Sequence, residues 1–178
     1  AARKANAIKV EFITHCPDCG TRLVRKEGEA AYYCPNETGC PPQIKGRIEH
    51  FIQRKAMNVD SLGPETIEQL FDKGYLNNPG DLYNLTKEQL LSLERFGEKS
   101  ADNLLEGLEK SKEIAFPRVL FALGIRYVGA TVAEKLATHF KNIDAIIAAD
   151  LETLIAVHEI GERIAESLVN YLAIEENL

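Results

Sequence analysis

The sequence lacks any run of apolar residues long enough to cross a bilayer. Its first residues, AARKANAIKVEF, lack the apolar core of a secretory leader. Both absences point away from a membrane partner. Apolar residues at 45% and charged residues at 27% are ordinary for a folded chain in water. No methionine opens the chain, as expected of a processed or excised piece. Its 178 residues allow one to two domains. Positive charge is also in short supply: the net charge of −6 argues at first against a polyanionic partner. Dividing the chain changes that reading. Residues 1–60 carry 10 Lys/Arg and 7 Asp/Glu, a balance of +3; residues 61–178 carry 11 and 20, a balance of −9. An acidic segment can hold a phosphate only locally, through backbone N–H groups and a few placed cations.

Cysteine is absent outside positions 16–40, where all four residues fall in a C-x2-C-x14-C-x5-C pattern: Cys16, Cys19, Cys34 and Cys40. Two close pairs bridged by such a spacing suit one tetrahedral Zn²⁺ held by four thiolates. Gly20 permits the turn after Cys19, and Pro17 and Pro35 stiffen the loops. Arg22–Arg25 and Ala31–Tyr33 read as short strands about a turn at Glu27-Gly28-Glu29, which predicts a small zinc ribbon. A closed four-thiolate site leaves no position for substrate, so the metal's role would be structural. The rival is a pair of disulfides in a secreted chain, which no other feature of the sequence supports. With four cysteines completing the site, His15 and His50 read as bystanders. Arg22, Arg25 and Lys26 suit either phosphate contact or a solvated surface.

The remainder repeats. Four stretches align on a glycine: SLGPETI at 61–67, RFGEKSA at 95–101, YVGATVA at 127–133 and EIGERIA at 159–165. The glycines Gly63, Gly97, Gly129 and Gly161 are spaced by 34, 32 and 32 residues. An apolar residue precedes each, and Ile67, Ala101, Ala133 or Ala165 follows four positions later. Such a period marks one supersecondary unit used several times. Each copy reads helix, short hairpin, helix. The glycine there allows a positive φ or a close backbone approach.

Two readings of the glycine stand side by side. It serves helix packing alone, or it bares the unpaired N–H groups of a helix N-terminus to a phosphate oxygen. One copy by itself favours packing; four at near-constant spacing favour phosphate. Lys99 and Ser100 follow the second glycine, Arg126 and Thr131 flank the third, and Arg163 follows the fourth. The first hairpin has no cation in its turn, and Pro64 removes a donor, so it is expected to be the weakest contact. Tyr127 reads as a packing residue that has the chemistry to stack on a base. His139 and His158 carry no message.

These features resemble the C-terminal half of the bacterial NAD-dependent DNA ligases over about residues 12–175. The resemblance rests on THCPDCG at 14–20, YYCPNETGCPPQI at 32–44, IEHFIQRKAMNVDSLG at 48–63, DLYNLT at 81–86 and GIRYVGATVAEKLA at 124–137. It implies a mainly α chain: a tail over 1–13 ending an oligonucleotide-binding barrel, a four-cysteine zinc finger over 14–45, and four helix-hairpin-helix motifs over 46–178. It implies structural Zn²⁺ on Cys16, Cys19, Cys34 and Cys40. It further implies a monomer of the bacterial cytoplasm, associated with the nucleoid. Its partners would be nicked double-stranded DNA and the other domains of the same ligase. The family's motifs place DNA contacts at the hairpins around Gly63, Gly97, Gly129 and Gly161, gripping the minor groove on both sides of a nick.

The family's chemistry needs a nucleophilic lysine in a K-x-D-G setting, and this sequence has none. NAD and Mg²⁺ would belong to domains the sequence does not carry, and the chain alone is expected to be inactive. Two departures stand out. The first hairpin reads SLG where GLG is expected, and the fourth places Glu159 and Glu162 beside its glycine. The alternatives are a stand-alone repair or recombination module of the same motif, and a protein-interaction scaffold presenting acidic faces such as Glu65/Glu68/Asp72 and Glu106/Glu109/Glu113. A pseudo-twofold pairing of two double motifs is expected for the helical part.

Overall fold

The computed structural model describes residues 11–25 and 27–178. Most of the expected 1–13 tail, and Lys26, therefore lie outside the described residues. The chain divides into two compact units, one ending at Ile44 and one spanning Lys45–Leu178.

In the first unit the expected strands are not formed. Among the described residues there are only isolated antiparallel bridges, His15 with Arg22 and Val24 with Tyr33. Val24 and Tyr33 exchange both backbone bonds at 2.8 Å, and pairing goes no further. The segment between the cysteine pairs is too short to hold a ladder without sheet neighbours. Gly28 sits at φ +77° in the loop that joins Val24 to Tyr33. Helix α1 (Pro41–Ile52) follows Cys40 directly, opening on two prolines that suit a first turn.

The second unit is helical throughout. It contains α2 (Pro64–Asp72), a 3₁₀ turn at Pro79–Asn84, α3 (Lys87–Leu91), α4 (Glu98–Ser111), α5 (Phe116–Ala122), α6 (Ala130–Phe140), α7 (Ile143–Ile147), α8 (Leu151–Ile155) and α9 (Glu162–Leu172). The pairs α3–α4, α5–α6 and α8–α9 pack directly across a hairpin. The residues four past the glycines explain this closeness: Ile67, Ala101, Ala133 and Ala165 are all fully buried. Of the apolar residues just before the glycines, Leu62, Val128 and Ile160 are buried and Phe96 is half-buried.

The third and fourth hairpins share one core, in which Leu120, Val128, Leu136, Leu154, Ile160 and Leu168 meet. The first and second are tied by Gln69 of α2. Its side-chain oxygen accepts from the Glu94 backbone N–H at 2.7 Å, and its amide donates to the Glu94 carbonyl at 3.4 Å. His50 of α1 packs its ring at a tilt against Phe121, centroids 4.8 Å apart, and its Nδ1 lies 3.3 Å from the Ala122 carbonyl. The histidine is thus a packing residue of the helical unit.

Candidate metal centre and nucleic-acid interface

The four cysteine sulfurs lie within 4.8 Å of one another. Cys16 and Cys40 Sγ are 3.8 Å apart, and Cys19 and Cys34 Sγ 3.4 Å. A zinc ion with Zn–S bonds of about 2.3 Å spaces its thiolates by about 3.8 Å. The donor set and its spacing therefore fit Zn²⁺, while all four cysteines are free of disulfides. The surrounding backbone builds two tight turns. Gly20 N–H donates to the Cys16 carbonyl at 2.9 Å with φ +70°, and Cys40 N–H donates to the Asn36 carbonyl at 3.1 Å. The Gln43 amide donates to the carbonyls of Cys34 (3.1 Å) and Asn36 (3.3 Å), pinning α1 to the second turn.

Without metal the thiols differ. The Thr21 hydroxyl, 3.3 Å from Cys19 Sγ, is the main cause that lowers the Cys19 pKa to about 6. Burial pushes Cys34 up to about 12 and raises Cys40. Zinc must therefore displace protons to gather four thiolates, and binding weakens as pH falls. His15 bonds its neighbour Thr14 at 2.9 Å and takes no place in the cluster. Arg25 Nε donates to the Glu29 carbonyl at 2.5 Å, so it braces the turn.

The four hairpins repeat one backbone plan. Gly63, Gly97, Gly129 and Gly161 are the N-caps of α2, α4, α6 and α9. Each is extended, with φ between −79° and −104°, a conformation any residue adopts. Each carbonyl accepts the first helical bond, from Ile67, Ala101, Ala133 or Ala165 N–H at 2.9–3.1 Å. A Cβ added at any of the four would meet nothing within 4 Å.

Of the two uses these glycines allow, a positive φ or a close backbone approach, the positive φ lies instead two residues earlier. Ser61 (φ 67°), Arg95 (60°), Tyr127 (66°) and Glu159 (64°) take the left-handed conformation, and all four are exposed. The SLG of the first hairpin is therefore one case of a general feature: no copy has glycine at that place. Chain reversal before the cap requires the left-handed turn whichever residue stands there, and no sequence signal distinguishes Ser, Arg, Tyr and Glu as a common class.

The glycines are thus needed neither for backbone conformation nor for packing within the chain. What they do is leave a helix end bare. None of the four helices has a side-chain cap. Elsewhere in the same unit Asn78, Thr86, Asn142 and Asp150 each accept from a backbone N–H three residues on, while α5, which opens behind Ala115 with a proline in its first turn, also has no side-chain cap. Lys99, Thr131 and Arg163 are exposed in the first turns of α4, α6 and α9, and Ser100 is half-buried. Arg126 is half-buried, with its guanidinium 5.0 Å from the Tyr127 ring centroid. Glu159 forms an ion pair with Lys135 of α6, which offsets the acid beside Gly161.

Residues 15–41 match the NAD-dependent DNA ligase C4 zinc finger domain. Residues 54–110 match the SAM-like helix-hairpin-helix tandem, and residues 118–178 the helix-hairpin-helix motif. Over 169 residues, 95% of the chain, the sequence is 60% identical to the DNA ligase of Bacteroides fragilis and 61% identical to that of Parabacteroides distasonis. It is 57% identical to the DNA ligase of Flavobacterium psychrophilum over 176 residues, 99% of the chain. The chain spans about a quarter of the length of these relatives, 25% for the first two and 26% for the third.

Proposed function

We propose that this chain, which carries the zinc-finger and helix-hairpin-helix region of an NAD-dependent DNA ligase, grips duplex DNA around a nick through its phosphates, with little sequence preference and without chemistry of its own. The observation that carries the reading is the set of four bare helix N-termini. Each ends in a glycine that neither the backbone nor the packing needs. Unpaired N–H groups and the helix dipole make such an end a phosphate site.

Lys99 with Ser100, Arg126 with Thr131, and Arg163 supply charge or hydroxyls beside Gly97, Gly129 and Gly161. Gly63, followed by Pro64 and with no cation in its turn, supports least. Phosphate contacts carry little base information, so sequence preference should be weak. The sequence contains no K-x-D-G, so no residue is assigned to take AMP from NAD. We read the zinc centre as a spacer that fixes its loop, with NAD and Mg²⁺ used by other domains of the parent enzyme. The protein acts as a monomer alongside those domains.

The test is anisotropy of a labelled nicked duplex titrated with the chain across a salt series. A variant with Gly97, Gly129 and Gly161 all replaced by Val runs in parallel. Their extended backbones and open surroundings let the variant fold, with a lower melting temperature because Val is a poorer N-cap than Gly. Binding that falls with salt in the wild type and is lost in the folded variant is the expected result. Equal binding by both proteins would overturn the phosphate grip. No wild-type binding even at low salt would favour the scaffold reading.

A further inference from the structure

Tyr127 is 46% exposed at the tip of the third hairpin, two residues before the bare N-terminus of α6. Burial in the shared core does not account for it. Its backbone sits at φ 66°, where an aromatic side chain is unfavourable and glycine is at ease. The corresponding tips carry Ser61, Arg95 and Glu159, all polar; only this one presents a ring. The ring is also ordered from one side, because the Arg126 guanidinium lies 5.0 Å from its centroid. A cation so placed restricts the ring's freedom and leaves it a preformed flat surface.

We propose that Tyr127 packs its ring on the sugar and base surface next to the phosphate held at α6, as a contact independent of charge. The proposal rests on the duplex-binding reading above. A phosphate at Gly129 brings its own deoxyribose within reach of the tip, and an aromatic ring gains by burying its apolar face against that sugar irrespective of base identity. Arg126 then has two roles, orienting the ring and adding positive charge near the backbone. Hairpin three would differ in kind from hairpin two, whose tip residue Arg95 offers charge alone.

The experiment compares the wild type with Tyr127→Gly and Tyr127→Phe, using the labelled nicked duplex and thermal melting. Tyr127→Gly removes the ring and relaxes the left-handed backbone. It should melt at a higher temperature, bind about fivefold or more weakly, and keep the wild-type salt slope. Tyr127→Phe should bind within about twofold of the wild type, since the ring and not the hydroxyl makes the contact. Stability and affinity moving in opposite directions is a signature that a packing residue would not give. A Tyr127→Gly protein that binds as tightly as the wild type overturns the proposal. So does a loss accompanied by a shallower salt slope, which would mean a charge contact was removed. A wild-type chain that fails to bind overturns the duplex reading itself, before any variant is compared.

Discussion

Two glycines five positions apart do opposite things. Gly124 sits at φ +68° and closes the end of α5, with the His50 ring 3.5 Å from where its Cβ would be. Gly129 is extended, with open space about it. Ala at Gly124 forces a side chain into the left-handed region, so Gly124→Ala should lower stability by about 1 kcal/mol or more and leave the affinity of the folded protein for DNA unchanged. Asp at Gly129 supplies the side-chain cap that α6 lacks, and should add a few tenths of a kcal/mol. The same carboxylate occupies and repels the phosphate position, so Gly129→Asp should bind DNA poorly while melting at or above the wild-type temperature. Chemical denaturation and anisotropy on the two proteins check this crossing of effects. Equal loss of binding in both would mean that the glycines act through folding alone.

At the scale of elements, the zinc turns and the helical hairpins are stabilised by different means. Residues 14–40 bury little beyond Cys16 and Cys40, whereas the helical unit has its own apolar core. Chelation should therefore unfold the cysteine loops and leave the helices standing. The measurable outcome is one zinc per chain by atomic absorption, lost in Cys34→Ser. That variant should be cut rapidly within residues 15–40 by protease, while its helical circular dichroism and melting stay close to wild type. Acidification should release the metal, because Cys34 and Cys40 hold their protons tightly and compete with zinc as pH falls. A helical unit that melts on chelation would refute the independence of the two folding units.

Much of this was legible in the spacing of residues. The four-cysteine pattern led to the cluster, and the repeated glycine, with a small residue four positions on, led to the hairpins. The finger forms isolated bridges in place of strands, because alternation and a turn do not reveal that a ladder lacks neighbours. The left-handed tips were invisible because four unlike residues occupy them. The tie from Gln69 to Glu94 joins residues 25 positions apart and leaves no periodic trace. The caps of α3, α7 and α8 give the bare glycine ends their meaning, and that contrast needs the helix boundaries, which no single residue reveals.

For the whole molecule, the question is how a segment with a balance of −9 over residues 61–178 holds a polyanion. Many of its cations are already engaged: Lys45 pairs with Glu68, Lys87 with Glu98 and Asp102, Lys110 with Glu106, Lys112 with Glu109, and Lys135 with Glu159. Arg126 is engaged beside the Tyr127 ring, and the other cations at the hairpins are Arg95, Lys99 and Arg163. Each phosphate neutralised by a cation contributes about −0.9 to the slope of log K against log salt. Arg95, Lys99 and Arg163 predict a slope of about −3. Neutral backbone N–H groups bind phosphate without adding a cation of their own. Lys99→Gln or Arg163→Gln should each flatten the slope by about one unit, whereas Arg25→Ala, whose side chain braces a turn, should leave it alone. A slope as steep as the full complement of Lys/Arg in residues 61–178 implies would mean that the paired lysines give up their carboxylates on binding, and the grip would then be electrostatic over the whole surface and not focused on four helix ends.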